Sequence, residues 1–202
     1  MSRLLLVRHG RTKLHEHDRF WGSTDVPLSD AGIRQAERLR DRLSKEKIKA
    51  VYASKLGRAR VTAEIIVAGR SVDIAIREEL SECNFGYAEG LTFSEISTQY
   101  PQLARELSSL DTVACFPGGE SFDELNTRVK IFTDKLGRHK PKDTVLVVAH
   151  GGPLQLLICH LLGIDVRHWR QWRLDMASLS IVETYPRGAI LNLLNDVSHL
   201  RM

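Results

Sequence analysis

The sequence lacks a long apolar run, a cysteine framework and any linker rich in proline, glycine or serine. No stretch approaches the roughly 20 residues of a membrane-spanning helix, and Leu4 to Val7 is too short for the core of a signal peptide. These absences predict a cytoplasmic protein that does not bind a membrane. Cys83, Cys115 and Cys159 are odd in number and widely spaced, which fits neither a disulfide framework nor a zinc site, so we expect them to be packing residues.

The composition is that of a soluble globular protein. Of 202 residues, 43% are hydrophobic and 27% charged, and no internal repeat interrupts the chain, so we expect a single domain over residues 1–202. The formal net charge of +4 favours anionic partners without choosing among them. A stretch that mixes basic and aromatic residues, Arg167 to Arg173, could stack on a single strand of nucleic acid. We interpret it instead as a surface helix with two anchored tryptophans, and expect no nucleic-acid partner. The sequence leaves the oligomeric state open, and a homodimer is one of the alternatives.

Short apolar runs alternate with amphipathic ones along the chain, which is typical of a layered α/β fold. The predicted strands are Leu4 to Arg8, Ala50 to Ala53, Thr144 to Ala149, Leu179 to Thr184 and, more weakly, Ile190 to Leu194. The first and third are apolar without alternation, as expected of strands that are covered on both faces.

Helix starts are marked by capping residues. Ser29 can cap the first helix, Thr92 and Ser121 each open a capping box, and apolar residues repeat at helical spacing after Ser121 and Pro153. We predict a three-layer α/β sandwich with a mostly parallel central sheet, helices on both faces, and a small helical insertion at about 92–117 over the site.

Two predicted strands end in histidine and glycine, at His9-Gly10 and at His150-Gly151. Ligands of open α/β sheets bind beyond the carboxyl ends of the strands, so both histidines should face one crevice. Arg8 directly precedes His9, and this pairing favours catalysis over an ordinary structural histidine.

These residue types suit phosphoryl transfer. Neutral His9 offers a ring nitrogen as nucleophile. Arg8 and Arg58 can each form forked hydrogen bonds to phosphate, and His150 can add a further donor. Arg58 should begin a helix just past the strand at Ala50 to Ala53, where it can reach the same crevice. Its neighbour Arg60 we interpret as a residue of the solvated helix face.

Glu82 is the predicted general acid and base, since a carboxyl beside phosphate can stay protonated near neutrality and protonate a leaving oxygen. Glu78 and Glu79 are interpreted as surface carboxylates and Glu89 as a surface or loop hydrogen-bonding group. Thr12 can donate to phosphate or cap the segment after His9, and both alternatives stay open.

Several motifs resemble the histidine phosphatase superfamily, also called the phosphoglycerate mutase-like family. They are Arg8 to Thr12, Phe20 to Gly32 with Gln35-Ala36, Ser54 to Ala63, Glu82 to Gly90, Pro117 to Ser121, and His150-Gly151. The resemblance implies a phosphomonoester hydrolase that works through phosphohistidine on a small phosphorylated metabolite. It needs no cofactor, and no metal is expected because the sequence has no carboxylate cluster at metal-ligand spacing. The implied phosphate or substrate contacts are Arg8, Thr12, His15, Trp21, Gly22, Arg58, His150 and Gly151.

A phosphoglycerate mutase-type transferase is the main alternative. The cofactor-dependent mutases of the family have asparagine at the position of His15, threonine at that of Trp21, and a longer arginine-rich lid. Here the insertion is short and contains a single arginine, Arg105, which favours a phosphatase. A non-catalytic phospho-ligand-binding regulator is the alternative of another class, and the retained nucleophile and acid speak against it.

Within the phosphatases the pattern is most similar to the α-ribazole phosphatases of cobalamin biosynthesis, with broad-specificity phosphatases as the neighbouring branch. We expect Trp21 and Tyr87 to offer flat surfaces at the rim of the crevice, on which a ring-bearing leaving group can stack.

Overall fold

A six-stranded sheet forms the centre of the protein in a computed structural model that describes residues 2–14, 19–109 and 115–201. Its strands are β1 (Ser2–Arg8), β2 (Ile48–Ser54), β3 (Ile74–Arg77), β4 (Thr144–Ala149), β5 (Leu179–Tyr185) and β6 (Gly188–Asp196). The order is β3-β2-β4-β1-β5-β6: the first four strands are parallel, β5 is antiparallel to β1, and β6 is antiparallel to β5. All five predicted strands are confirmed, and β3 is an edge strand that the sequence analysis missed.

The apolar runs of β1 and β4 are covered on both faces, as predicted. Leu4 and Leu6 belong to a core cluster on one face, and Leu5 and Val7 belong to a second cluster on the other. All four side chains have an exposed fraction of at most 1%. Since side chains alternate across a strand, a strand that is buried on both faces needs apolar residues at every position.

Helices cover the two faces of the sheet. They are α1 (Asp30–Arg42), α2 (Gly57–Ile66), α3 (Phe93–Gln99), α4 (Pro101–Ser108), α5 (Phe122–Leu136) and α6 (Gly151–Leu162). Ser29 caps α1 by accepting a hydrogen bond from the backbone of Gly32 at 3.1 Å. Both capping boxes are present, at the start of α3 and of α5. The predicted three-layer α/β fold is therefore confirmed.

The helical insertion consists of α3 and α4, joined end to end at Tyr100 and Pro101. Arg170, on the 3-10 helix Val166–Gln171, donates to the carbonyls of Leu107 and Ser109 and so ties the end of α4 to the body of the protein. Trp169 and Trp172 pack against the core, as the interpretation of anchored tryptophans predicted.

Two smaller expectations can be compared with the structure. Cys83 and Cys159 are buried, but Cys115 is exposed, so a packing role for it is wrong. No helix within the described residues combines the length and the apolar character that crossing a bilayer requires.

Candidate active site

The parallel pairing of β1 with β4 brings the two histidines together. Arg8 lies opposite Ala149 in the register, so the residues that follow, His9 and His150, leave the sheet side by side. The backbone N–H of His9 donates to the Ala149 carbonyl at 3.0 Å. The ring centroids are 4.9 Å apart in an edge-to-face arrangement, and both side chains are buried.

The hydrogen bond at Nδ1 defines the tautomer of His9. Nδ1 lies 2.8 Å from the carbonyl oxygen of Gly10, which can accept but not donate, so the proton of the neutral ring is on Nδ1. The lone pair is then on Nε2. The Gly10 backbone is itself held, because its N–H donates to Thr62 Oγ1 at 3.2 Å. A Cβ at Gly10 would lie 2.5 Å from the Gly32 carbonyl oxygen, so this close turn requires glycine.

His150 is fully buried behind the cleft, with both ring nitrogens engaged. Arg58 Nε donates to Nδ1 at 3.2 Å, and Nε2 lies 2.9 Å from Ser54 Oγ. Burial, followed by the proximity of His9 and the two arginines, holds the pKa of His150 well below its ordinary value, so the ring is neutral. In this arrangement His150 orients Arg58, and its direct contact with phosphate stays a prediction.

Arg58 is the second residue of α2 and 2% exposed. The helix start is capped by Asp25, whose carboxylate oxygens each lie 2.9 Å from the Gly57 backbone nitrogen. Besides its bond to His150, Arg58 donates from Nη1 to the Thr24 carbonyl at 2.7 Å and from Nη2 to the Gly22 carbonyl at 2.6 Å. Each Nη keeps a second hydrogen for a ligand.

Arg8 lies at the end of β1 with its guanidinium beside Gly151, the first residue of α6. Nη1 donates to the Leu174 carbonyl at 2.5 Å, whereas Nε is buried without a hydrogen-bond partner among the described residues. Burial lowers the pKa of Arg8, and the negative charges of Glu82 and Asp175 oppose that shift. A guanidinium with a buried N–H that makes no hydrogen bond suits an anionic ligand.

Glu82 lies in the loop after the 3-10 helix Glu78–Leu80 and faces the arginines across the cleft. Its Oε1 accepts a hydrogen bond from the Cys83 backbone at 3.0 Å. The carboxylate also approaches the first turn of α6, where a Cβ at Gly152 would lie 2.7 Å from Oε1. Gly152 therefore makes room for the carboxyl group.

Four of these residues, Arg8, His9, Arg58 and Glu82, line one cavity of about 310 Å³, whereas His150 is not among its lining residues. Its lining residues are Arg8, His9, Thr12, Arg19, Phe20, Trp21, Arg58, Glu82, Phe85 and Met176. Thr12 pairs with Leu28 through a β-bridge and lines the cavity, which favours the phosphate contact over the capping role. Tyr87 does not line it, because its ring packs against Gly118 and is 68% exposed, so the predicted rim position is wrong. His15 lies outside the described residues.

Gly22 and Glu89 support the loop that holds Arg58 at the cavity. The Glu89 carboxylate accepts backbone hydrogen bonds from Gly22 at 3.1 Å, Ser23 at 2.8 Å and Phe85 at 3.1 Å. A Cβ at Gly22 would lie 1.9 Å from the Cys83 carbonyl oxygen. Gly22 is not among the residues that line the cavity, and its contact with substrate stays a prediction; its carbonyl holds Arg58. The interpretation of Glu89 as a loop hydrogen-bonding group is correct.

A second, more apolar chamber of about 260 Å³ adjoins the first and shares Arg8, Phe20, Glu82 and Phe85 with it. Its other apolar lining residues are Cys83, Leu107, Phe116, Phe122, Leu125 and Trp169. Gln155 and Arg170 add polar atoms. Sequence analysis missed this chamber because its walls come from segments far apart in the chain. The aromatic character of Phe20, Phe85 and Phe116 was the available signal.

Comparisons with known proteins agree with this geometry. Residues 4–197 match the family model of the histidine phosphatase superfamily (branch 1). Phosphoserine phosphatase 1 of Hydrogenobacter thermophilus is 30% identical over 99% of this chain and 95% of that protein. A probable phosphoglycerate mutase, GpmB, of Yersinia pestis is 30% identical over 100% of this chain and 96% of that protein.

Solved structures are also similar to this chain. The α-ribazole phosphatase from Shigella flexneri superimposes with a TM-score of 0.89 at 29% identity, covering 96% of each chain. The chain spans about half the length, 55%, of some other curated relatives that it matches. The family match over nearly the whole chain, on a site built from His9, Arg8, Arg58 and His150, shows that this protein belongs to branch 1 of the histidine phosphatase superfamily.

Proposed function

We propose that the protein is a metal-independent phosphomonoester hydrolase that transfers the phosphoryl group of its substrate to Nε2 of His9 and then to water. The observation that carries this proposal is the tautomer of His9. Its Nδ1 donates to the Gly10 carbonyl, which directs the nucleophilic lone pair on Nε2 away from the backbone. The ring lines a cavity that also presents three arginines, Arg8, Arg19 and Arg58, and one carboxyl group, Glu82.

In the first step Nε2 of His9 forms a bond to phosphorus while the bond from phosphorus to the ester oxygen breaks. Glu82 in its protonated form gives its proton to that leaving oxygen. In the second step water attacks the phosphohistidine, Glu82 takes a proton from the water, and the electron pair of the N–P bond returns to Nε2.

Arg8 and Arg58 stabilise the charge on the three equatorial oxygens in both steps. Arg58 is held by His150 and by two backbone carbonyls, so its remaining N–H groups are aimed before the substrate arrives. Because both guanidinium groups are largely shielded from water, their attraction for a phosphoryl group is stronger than at an exposed surface. They supply the positive charge that other phosphatases take from metal ions.

Hydrolysis is favoured over mutase chemistry by the insertion. A mutase must hold a bisphosphorylated intermediate, which calls for further cations over the site. The single arginine of the insertion, Arg105, is exposed and lines neither cavity. Leu107, on α4, and Phe116, near the end of the insertion, instead present apolar groups to the second chamber.

The second chamber supports a ring-bearing leaving group. Phe85 and Phe116 lie with ring centroids 4.7 Å apart, and Phe20 and Phe85 with centroids 5.4 Å apart, next to Glu82, which would protonate the leaving oxygen. Among the substrates named for its relatives, the α-ribazole 5′-phosphate of the α-ribazole phosphatases fits such walls best. We propose it as the substrate, with other aromatic monophosphates as the wider class.

Trapping of the intermediate tests the proposed reaction. Purified protein mixed with labelled p-nitrophenyl phosphate and quenched within milliseconds should carry an acid-labile, alkali-stable phosphoryl group, and His9→Ala should carry none. His168→Ala, on the surface 3-10 helix, is the matched histidine control and should label as wild type. Label on His9→Ala would assign another nucleophile. Tight phosphate binding with neither label nor turnover would instead indicate a non-catalytic binder.

A further inference from the structure

We infer that Arg128 and Glu120 form a clamp that positions Glu82 as the proton donor, a role that rests on the proposed phosphatase function. Neither residue lines the cavity around His9. Arg128 is on α5 and Glu120 immediately precedes Ser121, the capping residue of that helix. Both are therefore positioning residues, and the geometry connects them to the backbone of Glu82 itself.

The clamp is a bidentate ion pair in a partly buried place. Arg128 Nε lies 2.6 Å from Glu120 Oε1, and Nη2 lies 2.8 Å from Oε2. The side chains are 20% and 15% exposed, so this pair is less screened than the surface pairs of the protein. A planar guanidinium that faces a carboxylate in this way has little rotational freedom.

The remaining donors of Arg128 bind the segment that carries Glu82. Nη1 donates to the Glu79 carbonyl at 2.8 Å, and Nη2 also donates to the Glu82 carbonyl at 3.2 Å. This segment leaves the sheet after β3 and has no strand partner, so the guanidinium stands in for the hydrogen bonds of regular structure. Holding the Glu82 carbonyl restricts the direction of its Cα–Cβ bond, from which the carboxyl group must reach the leaving oxygen to within about 3 Å.

Glu120 holds the same loop from the other side. Its backbone N–H donates to the Asn84 carbonyl at 2.8 Å, and its Oε2 accepts from the Asn84 backbone at 3.3 Å. A Cβ at Gly119 would lie 2.3 Å from the Asn84 carbonyl oxygen, so this close approach requires glycine. Pro117 to Ser121 thus supports the acid in addition to starting α5.

A leaving-group comparison separates positioning from folding. p-Nitrophenolate leaves without protonation, whereas the alkoxide of 2-phenylethyl phosphate needs a proton from Glu82. We expect Arg128→Met to lower kcat/KM on 2-phenylethyl phosphate, which reports transfer to His9 and not the shared hydrolysis of phosphohistidine, roughly 10- to 100-fold, a part of the ~10² to 10⁴ that acid-base catalysis contributes. On p-nitrophenyl phosphate the loss should stay below about threefold, because the arginines and His9 are untouched. Arg128→Lys and Glu120→Gln should give smaller losses with the same selectivity.

A double mutant of Arg128→Met with Glu82→Gln tests the clamp more directly. In a Glu82→Gln background the proton donor is absent, so adding Arg128→Met should change kcat/KM on the alkyl ester less than about twofold. Lys130→Met removes another cation from α5, whose exposed pair with Asp134 spans 3.0 Å, and should leave both substrates unaffected. Circular dichroism and the urea midpoint of every variant exclude misfolding as the cause.

Two results would contradict the clamp without contradicting the phosphatase activity. One is an equal loss of kcat/KM on both esters. The other is full additivity of Arg128→Met with Glu82→Gln while His9 is still labelled in both proteins. Should Arg128→Met fail to fold, Arg128→Lys and Glu120→Gln carry the same comparison. Absence of phosphohistidine in the wild-type protein would instead reject the proposed function and the clamp with it.

Discussion

Nε of Arg58 donates a hydrogen bond to Nδ1 of His150 over 3.2 Å, so a cationic side chain and an imidazole share one buried contact. The guanidinium has no lone pair to offer, so the ring has to accept, and accepting requires Nδ1 to be unprotonated. Nε2 then carries the ring proton and lies 2.9 Å from Ser54 Oγ. A proton added to Nδ1 would break the contact that holds Arg58 and place two positive charges together.

We predict that stability falls as the pH drops below about 6.5, because His150 is neutral in the folded protein. Burial, then His9 and Arg58, lower its folded-state pKa, whereas the unfolded chain titrates near 6.5. The unfolded state therefore binds the proton first. This contribution to stability is complete above pH 6.5 and is lost as the pH falls toward the folded pKa, at up to about 1.4 kcal/mol per pH unit.

Urea unfolding between pH 7.5 and 5 measures this slope. His150→Gln should reduce it without abolishing it, because burial also lowers the pKa values of His160 and His199. His168→Gln, at the surface beside Gln171, should leave it unchanged. Burial raises the folded pKa of Glu89, but its hydrogen bonds together outweigh burial and lower the pKa, so this carboxylate loses its contribution only below about pH 4.5 and does not interfere. An equal slope in His150→Gln and wild type would show that folding does not lower the pKa of His150.

We predict that Glu89→Gln lowers both stability and activity, although Glu89 does not line the cavity. Its carboxylate accepts hydrogen bonds from the backbone N–H groups of Gly22 and Thr24. The carbonyls of the same two residues accept hydrogen bonds from Arg58. An amide would turn an NH₂ group toward some of these donors, which should cost about 1 to 3 kcal/mol. A shift of Arg58 should reduce kcat/KM roughly 10- to 100-fold.

Glu78→Gln provides the control, since that carboxylate is 80% exposed and contacts Lys55 at 3.2 Å. It should match wild type in both assays. Inorganic phosphate affinity, measured by titration calorimetry, tests the link to Arg58 directly, because product binding uses the arginines without requiring catalysis. Unchanged phosphate affinity in Glu89→Gln would show that the loop does not set the position of Arg58.

Much of the fold could be predicted because the sheet is buried on both faces. Apolar residues at every position of β1 and β4 indicated strands, and capping residues such as Ser29 marked helix starts. The edge strand β3 has four residues, three of them partly buried, and so lacks both the length and the pattern of a recognisable strand. Its place depends on pairing with β2, which local sequence does not encode.

The site, like the fold, was predictable where it depends on local sequence and not where it depends on long-range contacts. His9, Arg8 and Arg58 follow from strand ends and a helix start, which are local features. The support of Arg58 by Gly22, and of Gly22 by Glu89, joins residues 36 and 67 positions apart and could not be found locally. Tyr87 lines neither cavity, and its ring packs on Gly118, a long-range contact that local sequence does not encode.

Chelation should leave activity unchanged. The described residues contain no group of three or more His, Cys, Asp or Glu that could hold a metal ion, and Arg8 and Arg58 already supply positive charge. We expect the same kcat on p-nitrophenyl phosphate before and after dialysis against EDTA. Vanadate, which can take the trigonal geometry of the transferred group, should inhibit competitively. Activity that disappears on dialysis and returns with Mg²⁺ would require a metal-assisted mechanism.

The last prediction concerns the leaving group. Phe116 borders the second chamber and Trp21 the cavity around His9, so either can stack on a ring attached to the phosphate ester. Stacking contributes ~1 to 3 kcal/mol, roughly a five- to hundredfold preference. We expect α-ribazole 5′-phosphate to exceed 3-phosphoglycerate in kcat/KM by such a factor, and Phe116→Ala or Trp21→Ala to narrow the gap. Tyr87→Ala is the matched control, because its exposed ring lies outside both cavities, and it should preserve the preference. Preference for phosphoglycerate, unaltered in all three variants, would assign the chamber to a different class of phosphate ester.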